Sequence, residues 1–219
     1  MTHCKSTIEE WVKEKDLKVN EKIDDVYDYE GWTLAHFAAQ EGRLDVLEWL
    51  KAQGGELNAK TDDEQTPMFA AAGGGYLDVM QWLKENDVDV NARDCYGSTP
   101  MFSAAMGDHV DIMQWLKEQG ADVNAKNDAG ETPMFGAAMG CCVDAMKWLK
   151  EQGADIEAKD NNGRTPIFEA AFYGQIDAMK WLINNGADIN VKDNDGDTLL
   201  STAVVEGIEK WLRANGAKE

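Results

Sequence analysis

One interval of 33 residues recurs along this chain in several residue types at once. It separates Trp49, Trp82, Trp115, Trp148 and Trp181, and also Thr33, Thr66, Thr99, Thr132, Thr165 and Thr198. Proline follows four of those threonines, at Pro67, Pro100, Pro133 and Pro166, and the chain has no other proline. Alanine keeps the register at Ala38, Ala71, Ala104, Ala137, Ala170 and Ala203. Self-similarity at a fixed period of roughly 20–50 residues marks a repeat architecture, in which each unit buries its apolar face only against its neighbours.

The content of one unit, residues 160–192, explains the period. Asp160-Asn161-Asn162-Gly163 reads as a turn, with glycine available for positive φ. Thr165 stands as a helix N-cap and Pro166 as the first helical residue. A short helix over 167–173 follows, with Ala170 and Ala171 small enough to let a neighbouring helix approach, and Gly174 breaks it. A second helix is expected over 176–184, with Ala178, Met179, Trp181 and Leu182 at apolar positions, closed by Asn185-Gly186. Each helix is shorter than the ~12–15 residues an isolated helix needs in water, so the units must stack. The tryptophans are expected to form a ladder between second helices and to supply a large share of the core, each burying about 150–250 Å².

The pattern resembles the ankyrin repeat, whose signature is T-P-L-H-x-A-A with G-A-D-V-N-A downstream. Here it stands as Thr99-Pro100-Met101-Phe102-Ser103-Ala104-Ala105 and then Gly120-Ala121-Asp122-Val123-Asn124-Ala125. The resemblance covers residues 28 to about 216. It implies an all-α repeat solenoid of stacked helix-turn-helix units joined by β-hairpin-like turns. The chain departs from the family in three places. Phe69, Phe102, Phe135 and Phe168 replace the usual histidine, which only His36 keeps, so the middle units lose that histidine's turn-bracing hydrogen bond. Glu64 occupies a turn position held elsewhere by Gly31, Gly97, Gly130, Gly163 and Gly196, and a looser turn is expected there. Asp108 and Cys141 stand where Gly42, Gly75 and Gly174 end the first helix, and the preceding Gly107 and Gly140 are candidates to replace them.

The expected organisation is a capping half-repeat over 1–27, repeats over 28–60, 61–93, 94–126, 127–159 and 160–192, and a shortened capping repeat over 193–219, folding as one cooperative domain. In the cap, Glu10-Trp11-Val12-Lys13 echoes Glu48-Trp49-Leu50-Lys51, with about five extra residues expected near 26–28. At the other end, Gly207 to Trp211 is four residues against seven from Gly174 to Trp181, so a shortened last second helix is expected. Lys210, Arg213 and Lys218 make this unit polar, as a terminal repeat requires.

Composition narrows the function. Asp and Glu number 41 against 21 Lys and Arg, a formal charge of −20. Such a field repels nucleic-acid phosphates and anionic lipid and steers in basic partners, although acidic surfaces also serve solubility alone. Residues 1–11 lack an apolar run, so no secretory signal is expected. The four cysteines, Cys4, Cys95, Cys141 and Cys142, form neither a disulfide framework nor a C-x-x-C pair, which fits reduced thiols in the cytoplasm.

No catalytic or metal set can be assembled. His3, His36 and His109 are far apart in sequence and register. Gly73-Gly74-Gly75 ends a first helix and needs no phosphate to explain it. Asp193-Asn194-Asp195-Gly196-Asp197 lacks the sixth-position Gly and twelfth-position Glu of a calcium loop. No enzyme activity, cofactor or metal is expected. By the resemblance, a partner protein would dock on hairpin tips and first-helix ends. The candidate residues are Tyr29, Trp32, Asp62, Asp63, Gln65, Tyr96, Met106, Glu131, Met139, Arg164, Phe172, Tyr173, Asp195 and Asp197, which vary between units while the framework repeats. The expected role is a monomeric protein-binding scaffold, adaptor or inhibitor for a partner with a basic or apolar-plus-basic surface, binding neither nucleic acid nor membrane. The alternative is an acidic immunity protein neutralising a basic toxin or nuclease. For Met106 and Met139, simple packing between first helices is the competing reading.

Overall fold

The structure is a computed structural model and describes residues 7–22, 30–205 and 207–218. It divides into two compact units, Met1–Cys95 and Tyr96–Glu219, described in turn. In the first, α1 (Ile8–Lys15) precedes two helix pairs, α2 (Leu34–Gln40) with α3 (Leu44–Ala52) and α4 (Pro67–Gly74) with α5 (Leu77–Glu85). The second holds four pairs: α6 (Pro100–Met106) and α7 (Val110–Glu118), α8 (Pro133–Met139) and α9 (Val143–Glu151), α10 (Pro166–Phe172) and α11 (Ile176–Asn184), α12 (Leu199–Thr202) and α13 (Ile208–Ala214). Within each unit the helices form an all-α repeat stack. The segment expected to hold the first hairpin's extra residues lies outside the described residues.

Threonine starts every first helix from an extended backbone, and proline occupies the first turn of α4, α6, α8 and α10. Helix α1 begins with a reciprocal capping box between Thr7 and Glu10. Its Trp11 is buried and donates its indole N–H to Glu41 Oε2 at 2.6 Å, so the half-unit covers the first full pair. The first helices end in left-handed residues. Gly42, Gly75 and Gly174 do this in three pairs, Asp108 (φ 60°) and Cys141 (φ 59°) do it themselves in two more, and α12 of the last pair ends instead at an extended Ala203. Gly107 and Gly140, the expected substitutes, keep negative φ. Asp108 tolerates this because aspartate visits the left-handed region readily, and because its Oδ1 accepts the Ala145 N–H at 2.7 Å, capping α9 of the next pair.

The core differs from the expected tryptophan ladder. The alanine pairs of the first helices are fully buried, as are Leu47, Met80, Met113, Met146 and Met179 of the second helices. Trp115 is buried, but Trp49, Trp82, Trp148 and Trp181 are only half-buried. The apolar stripe of α3 runs through Val46, Leu47 and Leu50, which sets Trp49 on its flank. The indoles roof the core. Lys51 Nζ lies 6.0 Å from the Trp82 ring centroid, and similar lysines reach the following second-helix ends, with Lys117 Nζ donating to Gln152 Oε1 at 2.6 Å and Lys150 Nζ to Asn185 Oδ1 at 2.7 Å.

The final pair also departs from expectation. The second helix α13 is shortened as expected, to seven residues against nine in α11, but the first helix α12 is shortened as well, to four residues against seven in α10. Val204 and Val205, which a full-length first helix would include, lie exposed in the turn.

Replacing the histidine leaves a buried trace. In the first pair, the Thr33 backbone N–H donates to His36 Nδ1 at 3.2 Å, so the proton sits on Nε2, which donates to the Gln65 carbonyl at 3.0 Å. The Thr33 hydroxyl lies 3.0 Å from the same Nδ1. Phe69 and Phe168 fill this place with a buried ring that accepts nothing, and the buried Thr66 and Thr165 hydroxyls have no hydrogen-bond partner. Removing a paired buried hydroxyl costs about 1–2 kcal/mol, whereas an unpaired one can be replaced isosterically at little cost. Thr33→Val is therefore expected to destabilise by about 1–2 kcal/mol and Thr165→Val to stay within ~0.5 kcal/mol of the parent in urea unfolding.

Candidate functional site

The hairpin tips are tied together by a backbone ladder within each unit. Asp62 N–H donates to Glu30 O (3.4 Å) and Cys95 N–H to Asp63 O (2.8 Å). In the second unit Asp128, Asn161 and Asn194 donate to Tyr96, Ala129 and Asn162, each at 2.8 Å. The side chains of Asn161 and Asn194 repeat the link by donating to the carbonyls of Asp128 and Asn161. The expected loose turn at Glu64 does not occur. Glu64 adopts φ 62°, and the turn is closed by Thr61 N–H to Gln65 O at 2.9 Å and Gln65 N–H to Thr61 Oγ1 at 3.0 Å.

This frame sorts the candidate residues. Tyr29 lies outside the described residues. Trp32 is half-buried, its ring 5.5 Å from His36 and 5.0 Å from Phe37, so it belongs to the packing of α2. Gln65, Glu131 and Arg164 occupy one repeat position and are half-buried braces, not free tip residues. Gln65 Nε2 donates to Asp94 Oδ2 at 3.2 Å, and Arg164 Nε to Asp193 Oδ2 at 3.1 Å. Glu131 closes its own turn, exchanging side-chain and backbone bonds with Asn127. Burial alone would raise the Asp193 carboxyl, but Arg164 and the N–H groups of Asp197 and Asp195 hold it below the usual range. Asp62, Asp63, Asp195 and Asp197 are exposed at the tips.

Four apolar candidates, Met106, Met139, Phe172 and Tyr173, stand at successive first-helix ends of the second unit. Tyr96, Met106, Phe172, Tyr173, Val204 and Val205 are the exposed large apolar side chains among the described residues, and every one lies in the second unit. Met106, Met139 and Phe172 are the last residues of α6, α8 and α10. Neighbouring helix ends touch. Cys142 Sγ lies 3.0 Å from Met106 O, Gln175 Nε2 donates to Met139 O at 2.8 Å, and Gly174 sits against the Val205 side chain. The Phe172 and Tyr173 rings meet edge to face at 5.1 Å. Met139 is half-buried while Met106 is 45% exposed, so the stripe is uneven. The equivalent positions in the first unit are Gln40 and Gly73.

Carboxylates border the stripe. On α10, Glu169 is half-buried, and burial together with the charges of Glu131 and Asp160 pushes its carboxyl up against the opposing pull of Arg164. A negative local potential of this kind favours an arriving cation. Val204 is the site residue that sequence reading missed, because its exposure follows from the shortened α12. In the first unit, an open cleft of about 520 Å³ beside α1 is floored by Val12, Leu17 and Trp49, with charges of both signs around it. No grouping of His, Cys, Asp and Glu among the described residues is arranged to hold a metal ion, and no described helix is long and apolar enough to cross a membrane.

Stacked helix-turn-helix pairs with hydrogen-bonded tips define an all-α repeat protein. Family models described as ankyrin repeats match residues 35–127, 120–193 and 137–217, and another of the same description matches residues 2–50. The chain belongs to the ankyrin-repeat family, whose members generally mediate protein–protein interactions and are typically non-enzymatic. No curated relative matches it.

Proposed function

We propose that this chain is a monomeric binding protein, acting as a scaffold, adaptor or inhibitor without catalysis of its own, that captures a partner protein on the first-helix ends and tips of its second unit. One observation carries the reading. Met106, Phe172, Tyr173, Val204 and Val205 are exposed at successive first-helix ends, with the half-buried Met139 between the first two, and an exposed apolar patch marks an interaction surface. Met and aromatic residues are the types enriched at interface centres. Asp195 and Asp197 are exposed at a tip of the same unit and Glu169 stands one turn before Phe172 on α10, which fits a partner with an apolar anchor flanked by Lys or Arg. The charge of −20 argues against nucleic acid and anionic membrane as partners. Cysteines spaced for neither disulfides nor a metal fit a cytoplasmic setting. The same charge supports a second reading, an acidic immunity protein neutralising a basic toxin or nuclease. That reading requires binding to weaken steeply with salt.

Replacing Met139 and Tyr173 together with Asp tests the surface. The double variant is expected to lose roughly tenfold or more in partner affinity with little change in melting temperature. Unchanged affinity with a lowered melting temperature would show that these side chains serve packing.

A further inference from the structure

We propose that the occupant of this surface is a basic amphipathic α-helix lying across the ends of α6, α8, α10 and α12, and this deepens the reading given above and rests on it. The first argument is spacing. The stripe offers one apolar station per helix pair: Met106, Met139, the Phe172–Tyr173 pair and the Val204–Val205 pair. Helices packed side by side stand roughly 8–10 Å apart. An α-helix rises 1.5 Å per residue, so residues seven apart return to nearly the same side after about 10.5 Å, in step with the stations. A β-strand returns to one face every ~6.6–6.8 Å and falls out of step.

The second argument is hydrogen bonding. A polyproline segment repeats every ~9.3 Å and would match the spacing, but its backbone has no internal hydrogen bonds. Seated on this stripe, an extended or polyproline backbone would turn N–H and C=O groups toward methionine, aromatic and valine side chains. The carbonyls of Met106 and Met139 at the stripe are already engaged, by Cys142 Sγ and Gln175 Nε2. A buried polar group left unpaired is costly, and a helix brings none because its backbone is satisfied internally. The third argument is charge. Glu169 stands one turn before Phe172 on α10, within reach of the negative charges of Glu131 and Asp160, and the basic face of such a helix complements it. Three steps of the stripe correspond to a helix of roughly 16–20 residues.

Three labelled synthetic peptides of about 21 residues test this against the full chain by fluorescence anisotropy. The first carries Leu at heptad a and d positions with Lys and Ala elsewhere. The second has the same composition scrambled, and the third keeps the apolar and basic residues but is interrupted by proline. The heptad peptide is expected to bind roughly tenfold tighter than either control. Phe172→Asp, at an exposed position, is expected to remove that advantage while leaving the melting temperature unchanged. A proline-interrupted peptide that binds as tightly, with the same dependence on Phe172, would overturn the helix and leave the docking surface standing. A heptad peptide no tighter than the scrambled one also overturns the helix. If no peptide's affinity responds to Phe172→Asp or Met139→Asp, the docking surface falls with it.

Discussion

Between pH 6.5 and about 4 the first unit is expected to lose on the order of 3 kcal/mol of stability through one side chain, His36. Burial is the largest cause of its lowered pKa, from the usual 6.5 to about 4, and Lys22 adds to it against the opposing hydrogen bond to Gln65. The geometry gives the reason in atoms. Nδ1 must accept from the Thr33 N–H, and an imidazolium would set one N–H against another. The folded state holds the ring neutral while the unfolded chain takes up a proton below pH 6.5, so stability falls as pH drops through this window and levels off below pH 4. Glu41 acts in the same direction. Burial would raise its carboxyl, but hydrogen bonds from Lys15 and Trp11 hold it low, and that contribution is lost as acid protonates it. Glu157 and Glu169 in the second unit are shifted upward by burial and respond oppositely. Urea unfolding against pH, compared with His36→Phe, isolates the histidine, and the variant's profile should be flatter between pH 6.5 and 4. An NMR titration of the His36 ring with a midpoint near 6.5 would contradict this account.

Gly130→Ala is expected to cost about 2–4 kcal/mol, read by urea unfolding, and Glu64→Gly to stabilise by roughly 1 kcal/mol, although both sites hold the same turn position. Gly130 has φ 84°, and a Cβ there would stand 2.6 Å from Asn161 Oδ1 and 2.9 Å from its N atom. The side chain of the next tip fills the space that this glycine leaves. The same juxtaposition places Asp62 against Gly31 and Asp128 against Gly97. At Glu64, which has a Cβ, the next tip carries Cys95 instead, whose Sγ turns to Asp63 Oδ1 at 3.5 Å. Glycine at 64 removes the cost of the left-handed conformation and forfeits only an exposed ion pair with Lys60, of small value. Were Gly130→Ala as stable as the parent, the close approach of successive tips would be wrong.

The helix pairs were legible because threonine caps, prolines and small residues recur in register, and each has a local mechanism. What a residue does toward its neighbour in the next repeat was not legible. Gln65, Glu131 and Arg164 vary freely in sequence and so read as a recognition surface, yet each braces a turn, and Arg164 and Gln65 reach acids 29 residues onward. Regular spacing made the tryptophans look like core. Their position at the flank of the stripe set by Val46, Leu47 and Leu50 needed three dimensions to see. The last pair was legible in part, since the short interval from Gly207 to Trp211 showed the shorter α13 but not the shorter α12. Met106, Phe172 and Tyr173 were legible as exposed because first helices end where packing ends. Val204 was not, because its exposure depends on how early α12 stops.

The pairing of each tip glycine with the Asp or Asn of the following tip bears on how such an array grows by duplication. A copied segment of 33 residues brings its own glycine but meets a tip residue supplied by its new neighbour. Placing unit 61–93, which carries the Glu64 turn, directly ahead of unit 127–159, which carries Asp128, would drive a carboxylate into a Cβ, whereas a unit with a glycine turn accepts either partner. Viable rearrangements of this chain are therefore constrained at the joints between units more than within them.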